Sequence, residues 1–140
     1  MDISVIGPVI VLGLACAGAA IGCGIAGMAA HGVMSRVEEG HGKYLGMSAI
    51  PSSQAIYGFV LMILMDQSIK AGNLSPEGGI GIGLSVGVTI LISAIYQGMC
   101  AATGIQASAK EPSVFGMAIA TLGIIESFAL FAFVFALLLL

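Results

Sequence analysis

Four apolar stretches, each long enough to cross a lipid bilayer, constrain this chain more than any other feature of it. They run approximately over 5–35, 44–65, 79–107 and 113–140, against the ~20 residues that a helix needs to span a hydrocarbon core. The charged side chains mark the intervals: Asp2, then Arg36 to Lys43, Asp66 to Glu77, and Lys110 with Glu111. Inside lipid no water serves the backbone, so an apolar segment must satisfy its own peptide groups, and the helix does so. The expected fold is therefore an all-α membrane protein of four transmembrane helices. Composition agrees, with 59% apolar residues and a mean hydropathy of +1.12, where soluble domains hold roughly 45–50% apolar residues. The formal charge of -3 is small and dispersed, so no basic patch exists to bind nucleic acid.

The start of the chain has neither a basic region nor a small-residue cleavage site, so the first span is expected to be retained and not removed as a signal peptide. Cys16, Cys23 and Cys100 fall inside spans, with no paired or C-x-x-C spacing, and are expected to be small packing residues. Arg36, Lys43 and Lys110 sit in the loops of one face, while Lys70 alone sits on the other. The positive-inside rule then puts loops 36–43 and 108–112 in the cytoplasm and both termini outside. Short loops and modest length suggest a bacterial plasma membrane.

The halves 1–72 and 73–140 resemble each other at an offset of 72: Ile10 meets Ile82, Ala29 Ala101, Ala30 Ala102, Gly32 Gly104 and Glu39 Glu111. Each half has a glycine- and alanine-rich helix, a polar loop, and a helix of larger side chains. The chain reads as a duplicated helical hairpin with parallel copies. Small residues allow the close backbone approach that associates helices in lipid. Gly18 and Gly22 make one GxxxG spacing, and Gly79, Gly83 and Gly87 make a double one. Glycine is scattered around most of the first helix, which suits a crowded ring of identical copies.

Of the seven acids, only Glu126 lies within a span, about fourteen residues from either end of its stretch. At ~1.5 Å per residue it sits near the bilayer centre. An ionised acid there is costly unless protonated, paired or bound to a cation, and marks a functional site by default. In the second span Ile50, Ser53, Gln54 and Tyr57 stand at i, i+3, i+4 and i+7, sharing one helix face. Pro51 lacks an N–H and frees a backbone carbonyl nearby, for which helix counting nominates Met47. Gln97 lies about ten residues before its polar loop, and Gln54 about ten after its own, so the two amides share a depth. A carboxylate, two amide oxygens and the Ser53 hydroxyl form an oxygen set that suits a hard cation such as sodium. A proton needs the carboxyl alone. Tyr57, one turn from Ser53, is placed to donate to Glu126 and close the site. Tyr96 and Ser127 point off the site by about 100° and read as packing residues, and His31 and His41 as solvated ones.

With these residues the chain resembles, over essentially its whole length, the rotor proteolipid of V-type ATPases, the membrane-ring component designated c or K. The carriers are the duplicated hairpin, the run Ile50-Pro51-Ser52-Ser53-Gln54-Ala55-Ile56-Tyr57, the segment Tyr96-Gln97-Gly98, and Ile125-Glu126-Ser127. Resemblance to sodium-translocating bacterial members implies that Na+ is held by Glu126, Gln54, Gln97, Ser53 and the Ile50 backbone carbonyl, with Tyr57 as the hydrogen-bonding phenol. It implies identical subunits in a homo-oligomeric ring, a stator membrane subunit with a basic residue, a central-stalk subunit, and lipid around the ring. At the offset of 72, Gln54 stands where Glu126 stands, so one chain carries one ion. No P-loop occurs, so ATP hydrolysis is expected on other subunits. Alternatives are the same rotor carrying H+, a four-helix proton-coupled multidrug antiporter, and a purely structural tetraspan protein. The antiporter would need an acid in the first span and aromatic residues around a drug pocket; here that span has no acid and the chain no Trp.

Overall fold

The computed structural model describes residues 3–140; Asp2, the charge that opens the chain, lies outside them. Among the described residues all regular structure is helical. A 3-10 turn at Ile3–Val5 leads into α1 (Ile6–Met34), followed by α2 (His41–Ala49), a 3-10 turn (Ile50–Ser52), α3 (Ser53–Lys70), α4 (Pro76–Lys110), another 3-10 turn (Pro112–Val114) and α5 (Phe115–Leu137). Four helical runs are long and apolar enough to cross a membrane, α2 and α3 making one of them in two pieces. The protein is an integral, multi-pass membrane protein.

Charge clusters mark the loops but overstate their length. The second span continues past Met65 to Lys70, because Asp66 and Lys70, one helical turn apart, pair at 2.6 Å and so remain compatible with the helix. The third span likewise begins at Pro76 and runs to Lys110. Its start follows from local chemistry: the Ser75 hydroxyl accepts from Gly78 N–H at 3.1 Å, Pro76 fills the first position without an unused donor, and Glu77 follows. It ends at Lys110, two residues before Pro112. Glu111 then caps the next turn, its carboxylate accepting from Ser113 N–H at 3.3 Å and Ser113 Oγ at 2.7 Å. Those bonds hold the Glu111 carboxyl below its ordinary range.

The central seam is α1 against α4, with α3 packed on α1 and α5 on α4. Glycine makes the seam possible. A Cβ on Gly83 would collide with the backbone of Gly7, and one on Gly98 with the backbone of Gly22, so the two helices meet main chain to main chain at both levels. Attraction of this kind, and not hydrophobic exclusion, holds helices together in lipid. Other glycines of α1, at 13, 24, 27 and 32, have open space where a side chain would go, so α1 keeps a second, unpacked small-residue face.

Two apolar clusters lie along the bundle. One gathers Val11, Ala15, Leu61, Met65, Ile90 and Ala129; the other gathers Ala26, Ala30, Tyr44, Met47, Ile105 and Leu122. Between their levels on α4 and α5 stand Ser93, Gln97 and Glu126, so a polar layer lies between two apolar ones. A branched residue in the seam tests this packing. Gly98→Val should cost about 1–3 kcal/mol through overpacking, whereas Gly42→Ala, in open space on α2, should change stability by less than about 1 kcal/mol; detergent-to-SDS unfolding titrations of the purified protein compare them.

Candidate functional site

Pro51 breaks the second span into α2 and α3 and turns the chain through a single 3-10 turn. The carbonyl of Met47, nominated by helix counting, is not free: Ile50 N–H bonds it, three residues on. The tightened turn absorbs the acceptor that a regular helix would have stranded. Ile50 O lies on the site side instead, where it accepts from the Ser53 N–H and lies 3.0 Å from Ser53 Oγ.

Glu126 gathers the other candidates around it. Its Oε1 accepts from Ser53 Oγ at 2.6 Å and from Tyr57 OH at 2.7 Å, and its Oε2 from Gln97 Nε2 at 3.1 Å. The Gln97 oxygen accepts from Gln54 Nε2 at 2.8 Å. Side chains from α3, α4 and α5, remote in sequence, thus form one connected network. Ser53 and Tyr57, four residues apart, reach the same oxygen because they share a helix face. Gln54 and Gln97 are 0% exposed, while Glu126, Ser53 and Tyr57 are half-buried: the carboxylate lies at the flank of the bundle with the amides behind it. Tyr57 is held by its ring against Phe133, with centroids 5.7 Å apart.

One atom of the network lacks a partner among the described residues. Gln54 Oε1 is buried there with no hydrogen bond, a costly condition in an apolar interior. An amide can present either oxygen or nitrogen by turning over, so the pair Gln54 and Gln97 can offer oxygens to a cation beside the carboxylate. The donor set is chemically selective. Among the described residues no three His, Cys, Asp or Glu side chains cluster as a metal site; one carboxylate with neutral oxygens suits a hard monovalent ion better than a transition metal.

Other sequence candidates fall elsewhere. Tyr96 is 60% exposed and lines a groove with Ile92, Ser93, Ile125 and Phe128, away from the Glu126 network. Ser127 bonds its own helix at Ile124 O. Cys16 is exposed, whereas Cys23 and Cys100 are partly buried. His31 and His41 are exposed, and His41 Nε2 lies 2.8 Å from Val37 O. Sequence reasoning missed Ser93, whose Oγ donates to Ile125 O at 2.9 Å. The signal was available: Ser93 stands one turn from Gln97 on the same face of α4.

The amide pair makes an asymmetric prediction. Gln97→Leu leaves Gln54 Nε2 unpartnered and removes a donor from Glu126, and should cost about 1–3 kcal/mol. Gln54→Leu strands Gln97 Oε1 but removes an oxygen that was already stranded, and should cost less. SDS unfolding in sodium-free buffer ranks the two.

Comparison with known proteins places this sequence in a family. The model of the ATP synthase C subunit matches twice, at residues 6–65 and 80–139, one match per hairpin. The chain is 36% identical over 121 residues to A-type ATP synthase subunit K of Methanocaldococcus jannaschii, covering 85% of this chain and 54% of that protein. It is 33% identical over 124 residues to V-type sodium ATPase subunit K of Enterococcus hirae, covering 87% and 80%. The chain therefore spans about half the length of the first relative and most of the second. The two family matches are offset by 74 at both ends, which sets Ser52 rather than Gln54 against Glu126 where the matches run without gaps; neither is a carboxylate. With two copies of the family hairpin covering nearly its whole length, the chain belongs to the ATP synthase C-subunit family, as a proteolipid of the V-type c/K kind.

Proposed function

We propose that this chain is the ion-carrying rotor subunit of a V-type rotary ATPase, loading one sodium ion per chain at Glu126. The observation that carries the reading is the oxygen set around a mid-membrane carboxylate, above all the buried Gln54 Oε1, unpartnered among the described residues. A proton carrier needs only the carboxyl. A sodium ion gives the amide oxygens of Gln54 and Gln97, the Ser53 hydroxyl and the Ile50 carbonyl a common purpose, replacing water ligands lost on entering the membrane. The likeness to a protein named V-type sodium ATPase subunit K supports the same ion.

The chemistry follows from charge. Bound sodium neutralises Glu126, so the loaded site can face lipid, whereas the empty carboxylate cannot do so cheaply. Tyr57 donates to the carboxylate and closes the site on its exposed side. Identical copies form a ring, and rotation brings each Glu126 to a stator subunit whose basic residue draws the carboxylate while two half-channels exchange the ion with either side. A central-stalk subunit links the ring to ATP hydrolysis on other subunits; the chain itself is non-catalytic. With one carboxylate per pair of hairpins, each turn carries fewer ions and more driving force falls on each. The protein acts in a bacterial plasma membrane, with loops 36–43 and 108–112 cytoplasmic and both termini outside.

Carbodiimide labelling of the purified protein tests this. Labelling should map to Glu126, vanish in Glu126→Gln, and fall as sodium is added at constant pH. Labelling that follows pH and ignores sodium would assign the carrier to protons, and a chain that never labels would return it to a structural role. Tyr57→Phe, losing one hydrogen bond to a charged group, should raise the sodium needed for half-protection about tenfold.

A further inference from the structure

The α4–α5 interface combines a thin apolar seam with two polar rungs. The buried residues of α5 are Leu122, Ala129 and Ala136, one strip recurring every seven residues and mostly alanine, and of the four spans α5 is the least buried within the chain. A smooth strip of small side chains in lipid resists sliding weakly, because displaced apolar contacts are replaced by lipid of equal polarity. The rungs supply what the strip lacks. Ser93 Oγ donates to Ile125 O at 2.9 Å, and Gln97 Nε2 donates to Leu122 O at 3.1 Å. Ser93 and Gln97 are one turn apart on α4, and Leu122 and Ile125 nearly one turn apart on α5. The two bonds thus join matching turns, and the upper one holds the peptide that leads into Glu126.

Gln97 cannot hold this register alone in the proposed cycle: its two Nε2 hydrogens go to Leu122 O and to Glu126 Oε2, and turning the amide over to present its oxygen to an ion breaks both bonds. Ser93 is free of that conflict. It is 6% exposed, its hydroxyl donates to a backbone carbonyl and not to the side chains that surround the Glu126 carboxylate, and its acceptor is the carbonyl immediately before Glu126. We infer that Ser93 is a positioning residue: it fixes the height and rotation of α5 on α4, so that Glu126 stays within reach of Ser53 and Tyr57 on α3 while the Gln97 amide rearranges during loading and release. The inference rests on the proposed ion site for its consequence, but the bond itself lies outside the ligand set.

The test compares Ser93→Ala, Ser93→Thr and Cys100→Ala in the purified, assembled protein, with assembly checked on native gels. Cys100 is the control because its Sγ lies 3.4 Å from Thr121 Oγ1, another α4–α5 polar contact, which does not adjoin Glu126. Ser93→Ala should raise the sodium concentration for half-protection of Glu126 against carbodiimide about threefold, the value of one interhelical hydrogen bond in a membrane. Ser93→Thr, which keeps the hydroxyl, and Cys100→Ala should stay near wild type. Equal half-protection in Ser93→Ala and wild type would overturn the proposal, as would an equal loss in Cys100→Ala, which would show general loosening of the interface. Should wild type show no sodium protection, the sodium reading falls on its own, and the labelling rate of Glu126 in sodium-free buffer decides for Ser93: about threefold faster in Ser93→Ala supports positioning, and an unchanged rate refutes it.

Discussion

The rest of the structure depends on one carboxylate set inside an apolar helix long enough to cross a membrane. Glu126 lies midway along α5, at a depth where an unpartnered charge is among the costliest features a membrane protein can carry. Its donors come from two other helices, Ser53 and Tyr57 from α3 and Gln97 from α4. None is near it in the chain. Satisfying one side chain therefore requires three helices to hold a common register, and the rest of the fold can be understood as the means of doing so.

Those means differ from the means of a soluble protein. Hydrophobic exclusion does not drive helices together in lipid, so contact must come from shape and from hydrogen bonds. The α1–α4 seam uses shape, with glycine facing glycine so that backbones touch at Gly7 and Gly83 and again at Gly22 and Gly98. The α4–α5 interface uses polar rungs across a narrow strip. The difference suits the two places. The seam is a rigid spine, while the element carrying Glu126 is attached lightly and half-exposed, with fully buried amides behind it. In the cycle we propose, Glu126 meets a neighbouring protein at one moment and lipid at the next, and such an element suits it.

Much of this is legible in the sequence because its signals are local or periodic. Charge gaps delimit four spans, and the spacing of Ile50, Ser53, Gln54 and Tyr57 puts them on one face. The depth of Glu126 follows from counting. Structure and sequence part where counting assumes that charge means loop or that geometry is regular. Asp66 and Lys70 read as loop by charge and are helical, since an i, i+4 ion pair is as welcome in a helix end as outside it. Counting frees the carbonyl of Met47, but the 3-10 turn at Pro51 gives it to Ile50 N–H, a local tightening that no periodicity reveals.

The sequence by itself determined the membrane class, the number of spans, the duplication and the presence of one central acid, because each depends on composition along a line and on the thickness of a bilayer. Only the tertiary structure decided which oxygens meet. It joined Ser53 and Tyr57 to one carboxylate oxygen and Gln97 to the other, left Gln54 Oε1 without a partner among the described residues, and brought Ser93 against the carbonyl before Glu126. Those pairings depend on the relative rotation and height of helices that are far apart in the chain. Backbone contact between glycines and a few interhelical hydrogen bonds set these quantities; GxxxG spacing marks which faces can approach closely, but not which residue of the other helix each will meet.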